Sequence, residues 1–157
     1  MDLEIQWEKP VPLRKARKGS LYIYTVNLDV LPNVPGIYIF ARRWGRSYEA
    51  LYVGQSMKIR RRVRNHQKNL PLMKHLEKAK TGRRFVIVGQ ALPKGGQKLE
   101  KVLATLERAF IRRFLSEGHD LVNKQGTRIR RHEIFSEGKV PKSFIPTLMY
   151  LERAKGQ

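Results

Sequence analysis

GIYIFARRWGRSYEALYVG, residues 36–54, carries two apolar runs rich in β-branched and aromatic residues, Gly36–Ala41 and Ala50–Gly54, on either side of a polar segment, Arg42–Glu49. The runs read as two strands and the segment as their loop, which together make an antiparallel hairpin. Just before it, Leu31-Pro32-Asn33-Val34-Pro35-Gly36 is a turn cluster, because each proline fixes its own φ and pushes the preceding residue out of the helical region. Further upstream, residues 21–28 (LYIYTVNL) read as another strand, while residues 1–20 look irregular and hold the basic patch 14–18.

Past the hairpin the periodicity changes from two to 3.6. Ser56 is placed to cap a helix in which Ile59, Val63 and Leu70 fall in one narrow arc, the predicted buried stripe. Arg60, Arg61, Arg64 and Lys68 occupy the opposite side, and Arg62 and His66, four residues apart, lie together on the flank of the stripe. Helical phase thus divides one basic run into a solvated face and a pair at the edge of the core.

Residues 71–82 read as a short helix stopped by Gly82, and residues 83–92 as a strand built on Phe85, Val86, Ile87 and Val88. The longest periodic segment follows at 97–117, with Leu99, Val102, Leu103, Leu106, Phe110 and Phe114 on one face and Gly118 placed to end it. Residues 121–123 form a short extended piece, 126–135 are basic, and a last short helix is expected from Pro146. The predicted fold is α/β (α+β): a small, mostly antiparallel three-stranded sheet flanked by helices. Its core spans 31–125, between a basic extension with one strand (1–30) and a basic extension with a short helix (126–157).

The chain has 157 residues, enough for one domain, with 33 Lys and Arg against 13 Asp and Glu, a formal charge of +20. A field of that size exceeds what solubility needs and attracts a polyanion, nucleic acid above all. The apolar runs are too short and interrupted for membrane insertion, and the acidic start followed by no apolar core is unlike a secretory leader. Without cysteine there is no disulfide framework, Cys-based zinc site or thiol nucleophile. A cytoplasmic protein is expected.

Gly36-Ile37-Tyr38 on one strand, Tyr52-Val53-Gly54 on its neighbour, Arg62 ten residues after Tyr52, His66 one turn on, Glu107 on the long helix and Asn123 after it stand in an order that resembles the GIY-YIG nuclease family. The resemblance covers roughly residues 31–125, with Val53 where Ile is more typical and a somewhat long gap between the tripeptides. It implies a divalent-metal-dependent endonuclease that hydrolyses phosphodiester bonds in DNA, with Tyr38, Tyr52, Arg62, His66, Glu107 and Asn123 gathered on one face. Glu107 is then the ligand of a single Mg²⁺ (or Mn²⁺), Arg62 stabilises charge on the phosphate, Tyr52 positions it, and Tyr38, with His66, orients or deprotonates the attacking water.

Taken alone, each residue has a plainer reading. Tyr38 and Tyr52 suit a strand as ordinary aromatics, and an unperturbed phenol is a poor base at neutral pH. Arg62 could be a solvated helix residue and His66 a core-edge histidine bonded to backbone. Glu107 has Leu103, Phe110 and Ile111 around it and no basic residue at i±3 or i±4, so a carboxylate there calls for a cation. Glu100, on the same side, shows that position alone does not select Glu107; only the family pattern does. Asn123 also suits a turn, and Gly54 suits either a turn or a close approach of its amide to phosphate.

Lys58, Arg60, Arg61, Arg64 and Lys68, with Arg42 and Arg43 from the hairpin and Arg128, Arg130 and Arg131 downstream, are the expected backbone-tracking surface. Six phosphate contacts would give log K a slope of roughly −5 in log salt. The reading from another class is a DNA- or RNA-binding module without turnover, and a third is a basic accessory protein such as a ribosome-associated one. Phe144, Ile145, Leu148 and Tyr150 could dock on the core or on a second copy, which leaves a homodimer open.

Overall fold

The computed structural model describes residues 2–122 and 132–151. Its elements run β1 (Asp2–Trp7), β2 (Val11–Lys15), β3 (Tyr24–Val26), a 3-10 turn (Leu28–Val30), β4 (Gly36–Trp44), β5 (Ser47–Ser56), α1 (Ile59–His66), α2 (Leu70–Lys78), β6 (Arg83–Ala91), α3 (Leu99–Ser116), β7 (His132–Gly138) and β8 (Leu148–Leu151). The fold is mixed α/β, and among the described residues the sheet has eight strands where three were predicted. Its centre is the antiparallel set β5-β4-β6; β1 and β2 line the other side of β6, β3 extends β2, and β7 and β8 extend β1. All pairings are antiparallel except β1 with β7.

The hairpin is longer and tighter than its composition suggests. Pairing continues to Trp44↔Ser47, so only Gly45 and Arg46 turn the chain, with Gly45 at φ 58°. A two-residue turn with positive φ at its first position matches the twist of the strands, which absorbs the expected polar loop into the ladder. Between Phe40↔Tyr52 and Ala41↔Ala50 the register shifts, and Leu51 is the extra residue. This bulge lets Leu51 and Tyr52, neighbours in sequence, both pack on the same side of the sheet.

The central strands are buried on both faces, which is why they read as unbroken apolar runs. On one face Ile37, Ile39, Val53 and Ile87 meet Val102, Leu106 and Phe110 of α3. On the other, Tyr38, Phe40, Val86 and Val88 meet Ile59 and Val63 of α1 and Leu72 and Leu76 of α2. Helix α3 ends as predicted at Gly118 (φ 83°), where His119 N–H donates to Phe114 O at 2.9 Å and Gly118 N–H to Leu115 O at 3.1 Å. Those two bonds form a Schellman closure.

Outside the core the expectations need correction. Residues 2–15 are not irregular: Leu3, Ile5 and Trp7 alternate into the core from β1, so the first 30 residues hold three strands rather than one. The expected helix after Pro146 is instead strand β8, which pairs with β7. Of the two places open to Phe144 and Ile145, the core or a second copy, both take the core, with Phe144 stacked on Phe114 at 5.0 Å. Leu70 is 48% exposed because α1 stops at His66 and α2 starts anew, which removes Leu70 from the stripe. No helix among the described residues is long and apolar enough to cross a membrane.

Candidate active site

Helix α1 buries Ile59, Val63 and His66, spaced i, i+4 and i+7, against the sheet. The start of α1 is held from a distance: Ile59 N–H donates to Val34 O at 3.2 Å and Arg61 N–H to Asn33 Oδ1 at 3.4 Å. Ser56 does not cap the helix directly; its Oγ accepts from Lys58 N–H at 3.0 Å one step earlier. This register aims His66 at β4 and leaves Arg62, one turn back, exposed on the flank.

Tyr38 is 1% exposed, and its hydroxyl lies 2.6 Å from His66 Nε2. Gly54 sits directly across from Tyr38 in the ladder, and a Cβ there would fall 2.3 Å from both Cζ and Oη of the Tyr38 ring. Gly54 is therefore the gap in which the phenol rests. It is buried mid-strand under that ring, so the expected approach of its amide to a phosphate is not available. Tyr52 stacks on Tyr38 (6.1 Å between centroids, 21°) and meets His66 edge-on at 5.1 Å. The Arg62 guanidinium lies close enough to both phenols for them to favour its charged form, Tyr38 more than Tyr52.

Asn69, the N-cap of α2, fixes the polarity of this network. Its Oδ1 accepts from Leu72 N–H at 3.3 Å, so its amide N–H₂ faces His66 Nδ1 at 3.4 Å. The opposite flip would set donor against donor at Leu72. With Nδ1 accepting, a neutral His66 carries its proton on Nε2 and donates it to Tyr38 Oη. The Tyr38 oxygen then accepts from His66, and its own O–H is left to donate. Burial, with a smaller push from Arg62, lowers His66 from 6.5 to about 4. Burial, helped by Tyr52 and opposed by Arg62, raises Tyr38 above its ordinary value. At neutral pH the pair is His⁰ and TyrOH, because desolvation of Tyr38 outweighs the opposing pull of Arg62.

Glu107 reaches the same end of the sheet from α3. The Gln55 backbone N–H on edge strand β5 and the charges of Arg108 and Arg62 favour its ionised form. Burial nonetheless pushes its carboxyl up. Farther along the same edge, His119 Nδ1 accepts from Ala50 N–H at 2.8 Å and Leu51 O accepts from Val122 N–H at 2.9 Å. Side chains and loop thus cover backbone groups that an edge strand would otherwise expose.

Beside Arg62 a recess of about 280 Å³ is lined by Ser56, Met57, Lys58, Arg61, Arg62 and Asn65. A second, of about 400 Å³, lies between α1 and the 28–33 loop, with Lys58, Arg60, Arg61 and Arg64 on its wall. Arg60 also donates from Nε to Leu31 O at 2.7 Å, so it fastens that loop as well as facing outward. Lys68 is exposed beyond the end of α1. Arg42 leaves the expected surface: it is 6% exposed, bonded to Glu49 at 2.7 Å and Thr81 O at 2.8 Å, and lies 3.8 Å from the Trp44 ring centroid. Arg43 is half-buried over Phe85. Asn123, Arg128, Arg130 and Arg131 lie outside the described residues.

The structure thus brings Tyr38, Tyr52, Arg62 and His66 together, with Glu107 within electrostatic reach of Arg62. Asn69 is the participant that the sequence reading missed. Its signal was present, an Asn two residues before Pro71 at a helix start. Compared with protein-family models, with curated proteins and with solved structures, the chain matches none.

Proposed function

We propose that this chain is a GIY-YIG-type, divalent-metal-dependent endonuclease acting on DNA. The observation that carries the reading is the phenol of Tyr38, seated in the gap at Gly54, bonded to His66 and within the electrostatic reach of Arg62. The +20 charge supports a polyanionic substrate. Glu107 suits the metal that such chemistry needs: it is desolvated, near a phosphate-binding arginine, and has no basic neighbour at helical spacing. Among the described residues no three His, Cys, Asp or Glu side chains gather, so the ion would rest on one carboxylate and its own waters, a mode typical of Mg²⁺. Bound there, Mg²⁺ or Mn²⁺ would supply Lewis-acid stabilisation of charge on the phosphate.

In this reading Arg62 exchanges part of its phenol contacts for the non-bridging oxygens of the scissile phosphate, and one aimed cation stabilises the transition state by about 3 kcal/mol. Tyr52 holds the phosphate against Arg62. Tyr38, whose oxygen already accepts from His66, donates its O–H toward a phosphate oxygen or the attacking water and so orients rather than deprotonates. His66 holds that polarity.

The second reading, a nucleic-acid-binding module without turnover, is favoured by one observation: neither Tyr38 nor His66 stands ready as a base at neutral pH. Supercoiled plasmid incubated with Mg²⁺, Mn²⁺ or chelator separates the two. Metal-dependent nicking should be lost in Glu107→Gln, kept in Glu100→Gln, and slowed at least 100-fold in Tyr38→Phe. Absence of nicking on duplex, single-stranded, branched and RNA substrates in either metal rejects the nuclease, and a larger loss in Glu100→Gln than in Glu107→Gln rejects the residue assignment.

A further inference from the structure

Two arginine pairs face each other in consecutive register on β4 and β6: Arg42↔Arg84 and Arg43↔Arg83. Like charges directly opposite in a sheet are destabilising unless something compensates them. The first pair is fully compensated. Arg42 has Glu49, Thr81 O and the Trp44 face, and Arg84 donates to the carbonyls of Leu76 at 2.9 Å, Ala79 at 2.8 Å and Gly82.

The second pair, on the opposite face, has no carboxylate partner among the described residues. The two guanidiniums do not splay apart either. They converge on one ring, Phe85, at 4.8 Å for Arg43 and 5.2 Å for Arg83 from its centroid. Arg43 Nη1 also donates to Tyr48 Oη at 3.4 Å. These side chains line a cavity of about 330 Å³ closed by Lys9 and two prolines, Pro10 and Pro12. Among the described residues, three cations and a phenol thus surround one space with no acid in its lining. Arg43 is half-buried against Phe85 and Tyr48, and Arg83, although exposed, lies over the same Phe85 ring; Lys9 is exposed beside them.

We propose that Lys9, Arg43, Arg83 and the Tyr48 hydroxyl form a phosphate-binding pocket for the backbone of a nucleic-acid strand. The pocket is five residues along β4 from Tyr38, roughly 17 Å, and on the other face of the sheet, so it grips the polymer away from the candidate active site. It stands independently of any hydrolytic activity. An incoming phosphate relieves the Arg43↔Arg83 repulsion, and the planar forks of the two arginines offer it paired N–H donors. Tyr48 adds an O–H donor to the same oxygens.

The test is binding of a fluorescein-labelled oligonucleotide, single-stranded and duplex, in chelator, over a salt series. Arg83→Gln and Lys9→Gln should each weaken binding about tenfold and make the salt slope shallower by about 0.7 for the single strand and 0.9 for the duplex. Lys101→Gln, an exposed α3 control of equal charge change, should move affinity less than about twofold. Lys9 lies outside the strand ladder and Arg83→Gln removes a repulsive contact, so both variants should melt no lower than wild type. Equal losses in Arg83→Gln and Lys101→Gln overturn the proposal, since the charge then acts only as a diffuse field. Inorganic phosphate at matched ionic strength should raise the melting temperature of wild type more than that of Arg83→Gln. If it does so while neither variant affects oligonucleotide binding, the nucleic-acid assignment is overturned in favour of a free phosphate compound.

Discussion

Acidification should destabilise this protein in a window set by His66. Its imidazole falls from 6.5 to about 4 on folding because burial and Arg62 both oppose the cation, and its faces are closed by Tyr38, Tyr52 and Phe40. The unfolded chain therefore binds a proton at higher pH than the folded one, and stability falls as pH drops from about 6.5 to about 4, then levels off. A shift of that size corresponds to roughly 3 kcal/mol, a large fraction of a domain's total stability. Glu107 works in the opposite sense: its raised carboxyl favours the folded state below the ordinary carboxylate range and loses that contribution as pH rises. His119, also lowered by burial, acts in the same sense as His66. The His66 share is isolated by urea denaturation of wild type and His66→Asn at several pH values. The difference between the two should shrink by roughly 3 kcal/mol between pH 7 and pH 4. A pH-independent difference, or a ring proton of His66 titrating above pH 6 by NMR, refutes the assigned network.

Two further substitutions test the frame around that pair. Gly54→Ala drives a methyl into the Tyr38 ring, and overpacking of this kind costs about 1–3 kcal/mol. It should lower the urea midpoint and restore a near-ordinary His66 titration, whereas an unchanged His66 would mean that the gap does not position the phenol. Arg42→Ala strands the half-buried Glu49 and should destabilise the fold by about 2–4 kcal/mol while leaving the salt slope of DNA binding unchanged. A slope lowered by about one would return Arg42 to the binding surface.

What the sequence made legible was what depends on local periodicity. The hairpin, the apolar stripe of α3 with its stop at Gly118, and the phase that sets His66 at the edge of the core and Arg64 outside follow from spacing alone; that His66 is buried while Arg62 beside it is exposed does not. Arg42 was misplaced because Glu49, its partner, becomes a neighbour only once Gly45-Arg46 is known to be the whole turn. Strand β1 showed its alternation at Leu3, Ile5 and Trp7, but its partners β6 and β7 lie far along the chain, where no local pattern points. The run at 148–151 is too short for periodicity to separate strand from helix, and pairing with β7 decides it. The bulge at Leu51 is likewise invisible locally, although it brings Tyr52 to the face where Tyr38 and His66 meet. Asn69 was legible as a cap; that its amide also fixes a histidine tautomer is a matter of tertiary placement.

The parallel pairing of β1 with β7 bears on the order in which the molecule assembles. Hairpin β4–β5 closes between near neighbours and can form as soon as both strands exist, whereas β1 is held between β6 and a strand from the far side of the described chain. Contacts of such sequence separation form slowly, because loop closure must precede any gain from them. During synthesis Leu3, Ile5 and Trp7 therefore stay without their full cover until β7 has been made. The strand that is translated earlier is completed last, and the interval between is when this protein most needs protection from self-association.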